Sequence, residues 1–479
     1  MRIRATLLAA LWLTTIAAQT RYDLVIRGGH VMDPETGLDA VRNVGITNGA
    51  IARIAAEDLQ GARTIDAAGL TVSPGFIDLH SHGQNAENYR LKALDGVTAA
   101  LELEIGVFDV PAFVKERAGR SLIHFGTAVS HPAARVATRG APMPAGAIVP
   151  AAGPATNEPL TDDQLATMSA MLERGLDAGA LGIGMGLVYT PGATRMEVIR
   201  TFRIAAARGV PIYVHVRSSG RLEPGSSIES INEVIGAAAA TGAALHIVHI
   251  NSSGLRDSVE CLRLVEGARA RGLDVTTEAY PYGAGMTAIN SALFNPGWQE
   301  RNSITYKDLQ LVETGERLTK ERFDALHASP EPRLVLLYLN PDEIVDAVIE
   351  HPLAMVASDG DVENGKGHPR GAGTYARILA RYVRQRRTIT LMDAIRKMSL
   401  MPAQRLERAA PSARRKGRVQ EGADADLVVF DPRTVQDNAT YDRGPVPSTG
   451  FRDVLVGGVS VVHDGRIVEN VFPGRAITR

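Results

Sequence analysis

The chain has 479 residues, 45% of them hydrophobic, 22% charged and a single one cysteine. That composition excludes a disordered chain, a collagen-like repeat and a disulfide scaffold. With 52 basic and 53 acidic residues the formal net charge is −1, which offers no global attraction to nucleic acid or an anionic membrane. One cysteine against 12 histidines restricts any metal site to imidazole and carboxylate ligands.

Residues 1–19 carry Arg2 and Arg4, an apolar run from Ala5 to Ala18, and Gln19. This is the layout of a secretory signal peptide, too short to span a membrane comfortably and without a nearby cysteine for a lipid anchor. A soluble periplasmic or secreted protein with no membrane anchor is therefore expected. Segments 22–33, 44–54 and 63–69 are short alternating runs broken by Gly and Asn-Gly turns, the pattern of small antiparallel strands. Segments 423–431, 453–465 and 466–468 read the same way. The two end blocks, 20–74 and 403–479, are expected to pair in space as one small β-sandwich.

Between them the chain alternates strand-like runs (75–79, 99–103, 123–129, 180–183, 212–216, 245–250, 274–279 and 354–357) with amphipathic helical runs such as 161–178, 196–208, 228–240 and 258–271. Eight strands alternating with helices predict an α/β fold, a TIM-type (β/α)8 barrel over 75–402, with its active site at the C-terminal ends of the strands. The polar, irregular stretch 290–332 is expected to be an insertion or lid.

Chemistry concentrates at those strand ends. His80 and His82, at i and i+2 after an apolar strand, project to one side and can reach one ion. His215 and His249 each end another strand, and Asp359 follows the last one. Four histidines and an aspartate on one rim point to a metal site, whose ion lowers the pKa of water from 15.7 to about 7. Glu102 and Glu104, embedded among Leu101, Leu103 and Ile105, share a face near the end of the second strand. Glu104 is favoured as a further ligand. Glu102 is the alternative, or a partner that orients a histidine.

On the His-x-His motif, the run Gly182 to Gly192, Glu278-Ala-Tyr280-Pro-Tyr282, Ala357-Ser-Asp359-Gly and the His368-Pro-Arg370 loop, nearly the whole chain after the leader resembles the amidohydrolase superfamily. Within it the similarity is to the D-aminoacylase, or N-acyl-D-amino-acid deacylase, branch. The resemblance implies a zinc centre of one or two ions, or another divalent metal, held by His80, His82, His215, His249 and Asp359. It also implies a metal-activated hydroxide that attacks an amide carbonyl, with Asp359 as general acid and base. Related deacylases use a cysteine shortly after the second strand, where this chain has the Glu102 and Glu104 segment; that variant is similar to the N-acyl-D-glutamate deacylase-like subgroup.

Tyr189, Arg217, Tyr280 and Tyr282 follow strands where a substrate can meet them, and His368 and Arg370 lie in a Gly-rich loop. Asn251 stands where relatives carry a lysine that binds the substrate carboxylate. His131 is expected to wall the pocket or orient a ligand, and His246 to be a satisfied core histidine. His30, His124, His327, His351 and His463 carry no functional signal. Cys261 reads as a small buried hydrophobe. The expected substrate is a small-molecule N-acyl amino acid or related amide, with no nucleic-acid partner. The alternatives are a dipeptidase or a cyclic amide or lactone hydrolase, and, from another class, a non-catalytic scaffold.

Overall fold

The structure is a computed structural model that describes residues 21–141, 143 and 148–479; the expected leader lies outside them. Eight parallel strands form its centre: β1 (Phe76–Asp78), β2 (Val97–Val107), β3 (His124–Ser130), β4 (Ile183–Gly186), β5 (Pro211–His215), β6 (Ala244–Ile247), β7 (Val275–Ala279) and β8 (Ala354–Val356). Each pairs with its neighbour in chain order, giving one continuous parallel sheet. Its residues are almost all buried, as helices covering the outside and side chains filling the inside require.

The helices begin and end where their capping residues dictate. Thr161, Thr194 and Ser226 accept backbone N–H groups at the starts of Asp162–Asp177, Arg195–Arg208 and Ser227–Thr241, and Gly209 and Gly242 end the last two in the left-handed conformation. Cys261 is buried in the helix Ser258–Ala270, and burial pushes its thiol up to about 12.

Two local features shape the rim. The β2–β3 register runs from Glu102 opposite Thr127 to Val107 opposite Val129, so β2 bulges over residues 103–106. The fourth strand lies at Ile183–Gly186 rather than over the expected 180–183. It runs past that bulge, and a Cβ on Gly184 would meet the Glu104 carbonyl at 2.6 Å, so only glycine permits the approach.

Between β8 and β1 no ladder of hydrogen bonds forms among the described residues. The barrel closes there beyond the strand ends, through a parallel bridge between Ser81 and Gly360, Asp359 N donating to His80 O (2.8 Å) and His82 N to Gly360 O (3.0 Å).

The end segments do share a sheet. Thr71–Pro74 pairs antiparallel with Leu427–Phe430, joining the N- and C-terminal blocks in a nine-stranded, mixed rather than purely antiparallel arrangement. The long first strand, Arg21–Asp33, changes partner part-way, from Gln60–Asp66 to Thr71–Pro74. Gly28, at φ +66°, and Gly29 mark the change. There the sheet folds over a core including Leu24, Ile46, Val72, Leu427 and Leu455.

Phe76 of β1 couples this sheet to the barrel: it stacks on Tyr375 at 5.5 Å and meets Phe430 and Phe451 edge-on. Phe76→Ala is expected to cost about 3–5 kcal/mol, read as a lower denaturant midpoint; a change below about 1 kcal/mol would show that the two units are not coupled through it.

The expected irregular insertion is more ordered than its sequence suggests. Strands Ala284–Ala288, Leu309–Leu311 and Leu334–Tyr338 form an antiparallel sheet over a separate core that includes Phe294, Trp298 and Phe323. The strands are three to five residues long and far apart in the chain, so no local periodicity announces them.

Candidate metal centre

The strand ends bring four donor atoms together at the mouth of the barrel. His80 Nε2 lies 3.2 Å from His82 Nε2 and 3.0 Å from Glu104 Oε2, and the latter two are 3.1 Å apart. Asp359 Oδ1 lies 3.3 Å and 3.2 Å from the two imidazole nitrogens. A second group adjoins the first: Glu104 Oε1 is 2.6 Å from His215 Nδ1 and 3.2 Å from His249 Nε2, with 3.2 Å between the two nitrogens. Zinc bonds of about 2.0–2.1 Å in tetrahedral array leave adjacent ligand atoms roughly 3.3 Å apart. The first group, at 3.0–3.3 Å, has that spacing; in the second, His249 Nε2 stands at 3.2 Å from both partners while Glu104 Oε1 and His215 Nδ1 are closer, at 2.6 Å, and Glu104 gives one oxygen to each group. Glu104 lies within the β2 bulge, between Glu102 and Val107.

Electrostatics favour a cation here. His80, His82, Glu104, Glu278 and Asp359 are all buried or nearly so. Burial disfavours a charged His80 ring, yet Asp359, Glu104 and Glu278 around it raise its pKa to about 10. Burial likewise disfavours charge on His82, and Glu102 and Asp359 override it upward. For Glu104, burial opposes ionisation, but His80, His215 and His249 hold the carboxyl well below the usual range. Asp359 also stays low against its burial, chiefly through the Arg370 guanidinium 2.8 Å from its Oδ2. A buried cluster this rich in carboxylate demands positive charge, and the imidazole and carboxylate donors suit zinc and its neighbours.

The ligand rings are fixed from behind. His80 Nδ1 donates to Glu278 Oε1 (2.6 Å), whose other oxygen lies 3.1 Å from His246 Nε2. His82 Nδ1 donates to Glu102 Oε2 (2.7 Å), and Glu102 Oε1 accepts from the N–H groups of Ile105 and Gly106. These bonds put the proton on Nδ1 and aim the Nε2 lone pairs at the centre. Glu102 thus holds His82 from behind, while Glu104 lies among the candidate donor atoms. The Glu278-Ala-Tyr280-Pro-Tyr282 motif alone gives Glu278 no role; its signal is a carboxylate inside a barrel strand, which requires a buried partner.

A cavity of about 340 Å³ opens over the cluster, and His82, Glu104, Tyr189, His215, Arg217, His249, Tyr280 and Asp359 all reach it. Of the expected substrate contacts, Tyr189, Arg217 and Tyr280 therefore line it. Arg217 is already held bidentately by Glu233 at 2.9 and 2.7 Å, which removes it as a free carboxylate receptor.

The others correct the expectation. Asn251 is buried beneath the wall, with Nδ2 donating to Tyr280 O (3.1 Å). Tyr282 packs under the Arg377 guanidinium, and His368 is spent on Ala284 O and Arg370 N. Arg370 acts through Asp359 rather than from the cavity wall. His131 neither walls the pocket nor orients a ligand: it pairs with Glu197 (2.9 Å), which also holds Arg135. Loop and strand-end positions alone do not separate side chains that face a cavity from those that pack beneath it.

The chain matches the amidohydrolase family over residues 63–468. It belongs to that family. This amidohydrolase is 30% identical to the N-acyl-D-glutamate deacylase of Alcaligenes xylosoxydans xylosoxydans, over 92% of this chain and 94% of that one. It is 29% identical to the D-aminoacylase of the same organism, with the same coverage. Among solved structures it is similar to the N-acyl-D-glutamate deacylase of Bordetella bronchiseptica, complexed with zinc and a phosphonate inhibitor that mimics the tetrahedral intermediate; the TM-score is 0.79 and the identity 27%, over 96% of this chain and 100% of that one. The barrel and the terminal sheet of the amidohydrolase are thus those of a known deacylase fold.

Proposed function

We propose that this amidohydrolase deacylates N-acyl-D-amino acids, with zinc held by His80, His82, Glu104 and Asp359 on one side and by Glu104, His215 and His249 on the other. The observation that carries the reading is the Glu104 carboxylate shared between two donor groups that line an open cavity. The deacylase relatives supply the substrate class.

Zinc bound there supplies a Lewis acid and an acidified water. The chain's own groups do the rest. Asp359, ionised and open to the cavity, takes a proton from the attacking water and returns it to the departing nitrogen. Thr287 Oγ1 donates to the Tyr189 hydroxyl (3.2 Å), leaving the phenol proton free for the amide oxygen, and burial keeps that phenol protonated.

Tyr189→Phe is expected to lower kcat by about 100-fold with little change in KM, the scale of losing one donor to a developing oxyanion; a kcat within a few-fold of wild type would remove Tyr189 from the chemistry. The function itself is tested by steady-state assays on N-acetyl-D- and N-acetyl-L-amino acids, dipeptides, cyclic amides and lactones, before and after chelation. Hydrolysis of N-acetyl-D-amino acids that disappears with chelator and returns with zinc is the expected result. Activity confined to dipeptides or cyclic substrates would replace the reading. The leader-like residues 1–19 support a further proposal, export to the periplasm or medium, which cell fractionation tests.

A further inference from the structure

Behind the metal centre lies a buried polar group that contacts neither cavity nor substrate. Lys92, on the helix Ala86–Leu94, is 1% exposed, and its ammonium donates to Asp78 Oδ2 (2.7 Å) and to Ser358 Oγ. Asp78 ends β1 and Ser358 follows β8, so the three residues sit at the β8–β1 junction, where no strand ladder forms among the described residues. Asp78 Oδ1 accepts from Ser358 N (3.0 Å) and His80 N (3.3 Å), and Asp78 Oδ2 accepts from Ser358 Oγ (2.6 Å). Gly360 N donates to Ser358 Oγ (3.0 Å).

The N–H groups of Ser358 and Gly360, the neighbours of Asp359, are therefore tied to this group, and Asp359 N itself is tied to His80 O (2.8 Å). Asp359 needs such restraint: its φ of +52° is a conformation that non-glycine residues hold only when their surroundings impose it. A buried ion pair is weak evidence for stability, since apolar groups of similar size often serve as well. What an ion pair adds is direction: Lys92 fixes the side chains of Asp78 and Ser358, and these in turn hold the backbone N–H groups of His80, Ser358 and Gly360.

We infer that Lys92, Asp78 and Ser358 are positioning residues that fix the Asp359 carboxylate and the His80 ring in one register across the barrel junction. The inference rests on the reading that Asp359 and His80 belong to the reactive centre. It treats the group as a device for geometry: remove one hydrogen bond and the donors remain, but their mutual placement relaxes.

The test uses Ser358→Ala, which deletes a single oxygen, and Lys92→Met, each loaded with cobalt(II) and compared with wild type by visible absorption and by separate kcat and KM. In folded variants, kcat is expected to fall about 10- to 100-fold, the scale of losing a group that orients a metal ligand, with KM within about 3-fold and an altered cobalt spectrum. A folded Ser358→Ala protein with wild-type kcat and a wild-type cobalt spectrum overturns the inference, whatever happens to Lys92→Met. A wild-type chain that binds no cobalt overturns the metal-centre reading, and the inference with it.

Discussion

Glu104→Ala is expected to abolish activity in practice, with kcat/KM at least roughly 1,000-fold below wild type and a matching loss of bound metal. The size follows from its position. One carboxylate serves both donor groups, at 3.0 and 3.1 Å to His80 and His82 and at 2.6 and 3.2 Å to His215 and His249. Removing it leaves the first group with two imidazoles and Asp359, and the second with two imidazoles alone. The second group should lose its ion first. Metal analysis of the purified variant beside steady-state kinetics measures both effects; a variant with wild-type metal content and activity would sink the bridging role. Glu102→Ala should be milder, about 10- to 100-fold, because Glu102 touches the centre only through His82 Nδ1.

Asp359→Asn is the second large effect, a loss of about 1,000- to 10,000-fold in kcat with KM little changed, because the amide cannot take up the proton of the attacking water. The substitution suits the backbone, since asparagine tolerates the positive φ that Asp359 adopts, so folding should survive. Stability should still fall. Arg370, 1% exposed, loses the carboxylate that now stands 2.8 Å from it, and a buried guanidinium left unpaired costs about 3–5 kcal/mol. Kinetics and a denaturation curve on the same preparation separate the two consequences. A kcat within 10-fold of wild type would move the proton transfer to another group.

The barrel, and the strand ends at which the candidate donors gather, are readable from sequence for a shared reason. Strands buried on both faces appear as apolar runs, and a polar residue closing such a run, as His215 and His249 do, has to be at a rim. Where a segment departed from that pattern, reading was poorer. The glycine-rich fourth strand begins later than its apolar run predicts, and the stretch 290–332 reads as irregular because its core residues, Phe294, Trp298 and Phe323, converge only in three dimensions. The role of Glu278 is not legible in its motif because its partners, His80 and His246, come from other strands. His131, Asn251, Tyr282 and His368 show the opposite error, polar residues near a rim whose side chains turn out to be satisfied beneath it.

The sheet that joins the two ends of the chain also constrains when the protein can become itself. Thr71–Pro74 waits for Leu427–Phe430, about 350 residues later, and at 5–20 residues per second a ribosome needs roughly 20–70 s to deliver that partner. Throughout synthesis the first strands present an unpaired hydrogen-bonding edge and an uncovered apolar face. Folding of this unit is therefore a post-translational event, and the newborn chain depends on whatever shields that edge until its own C-terminus arrives.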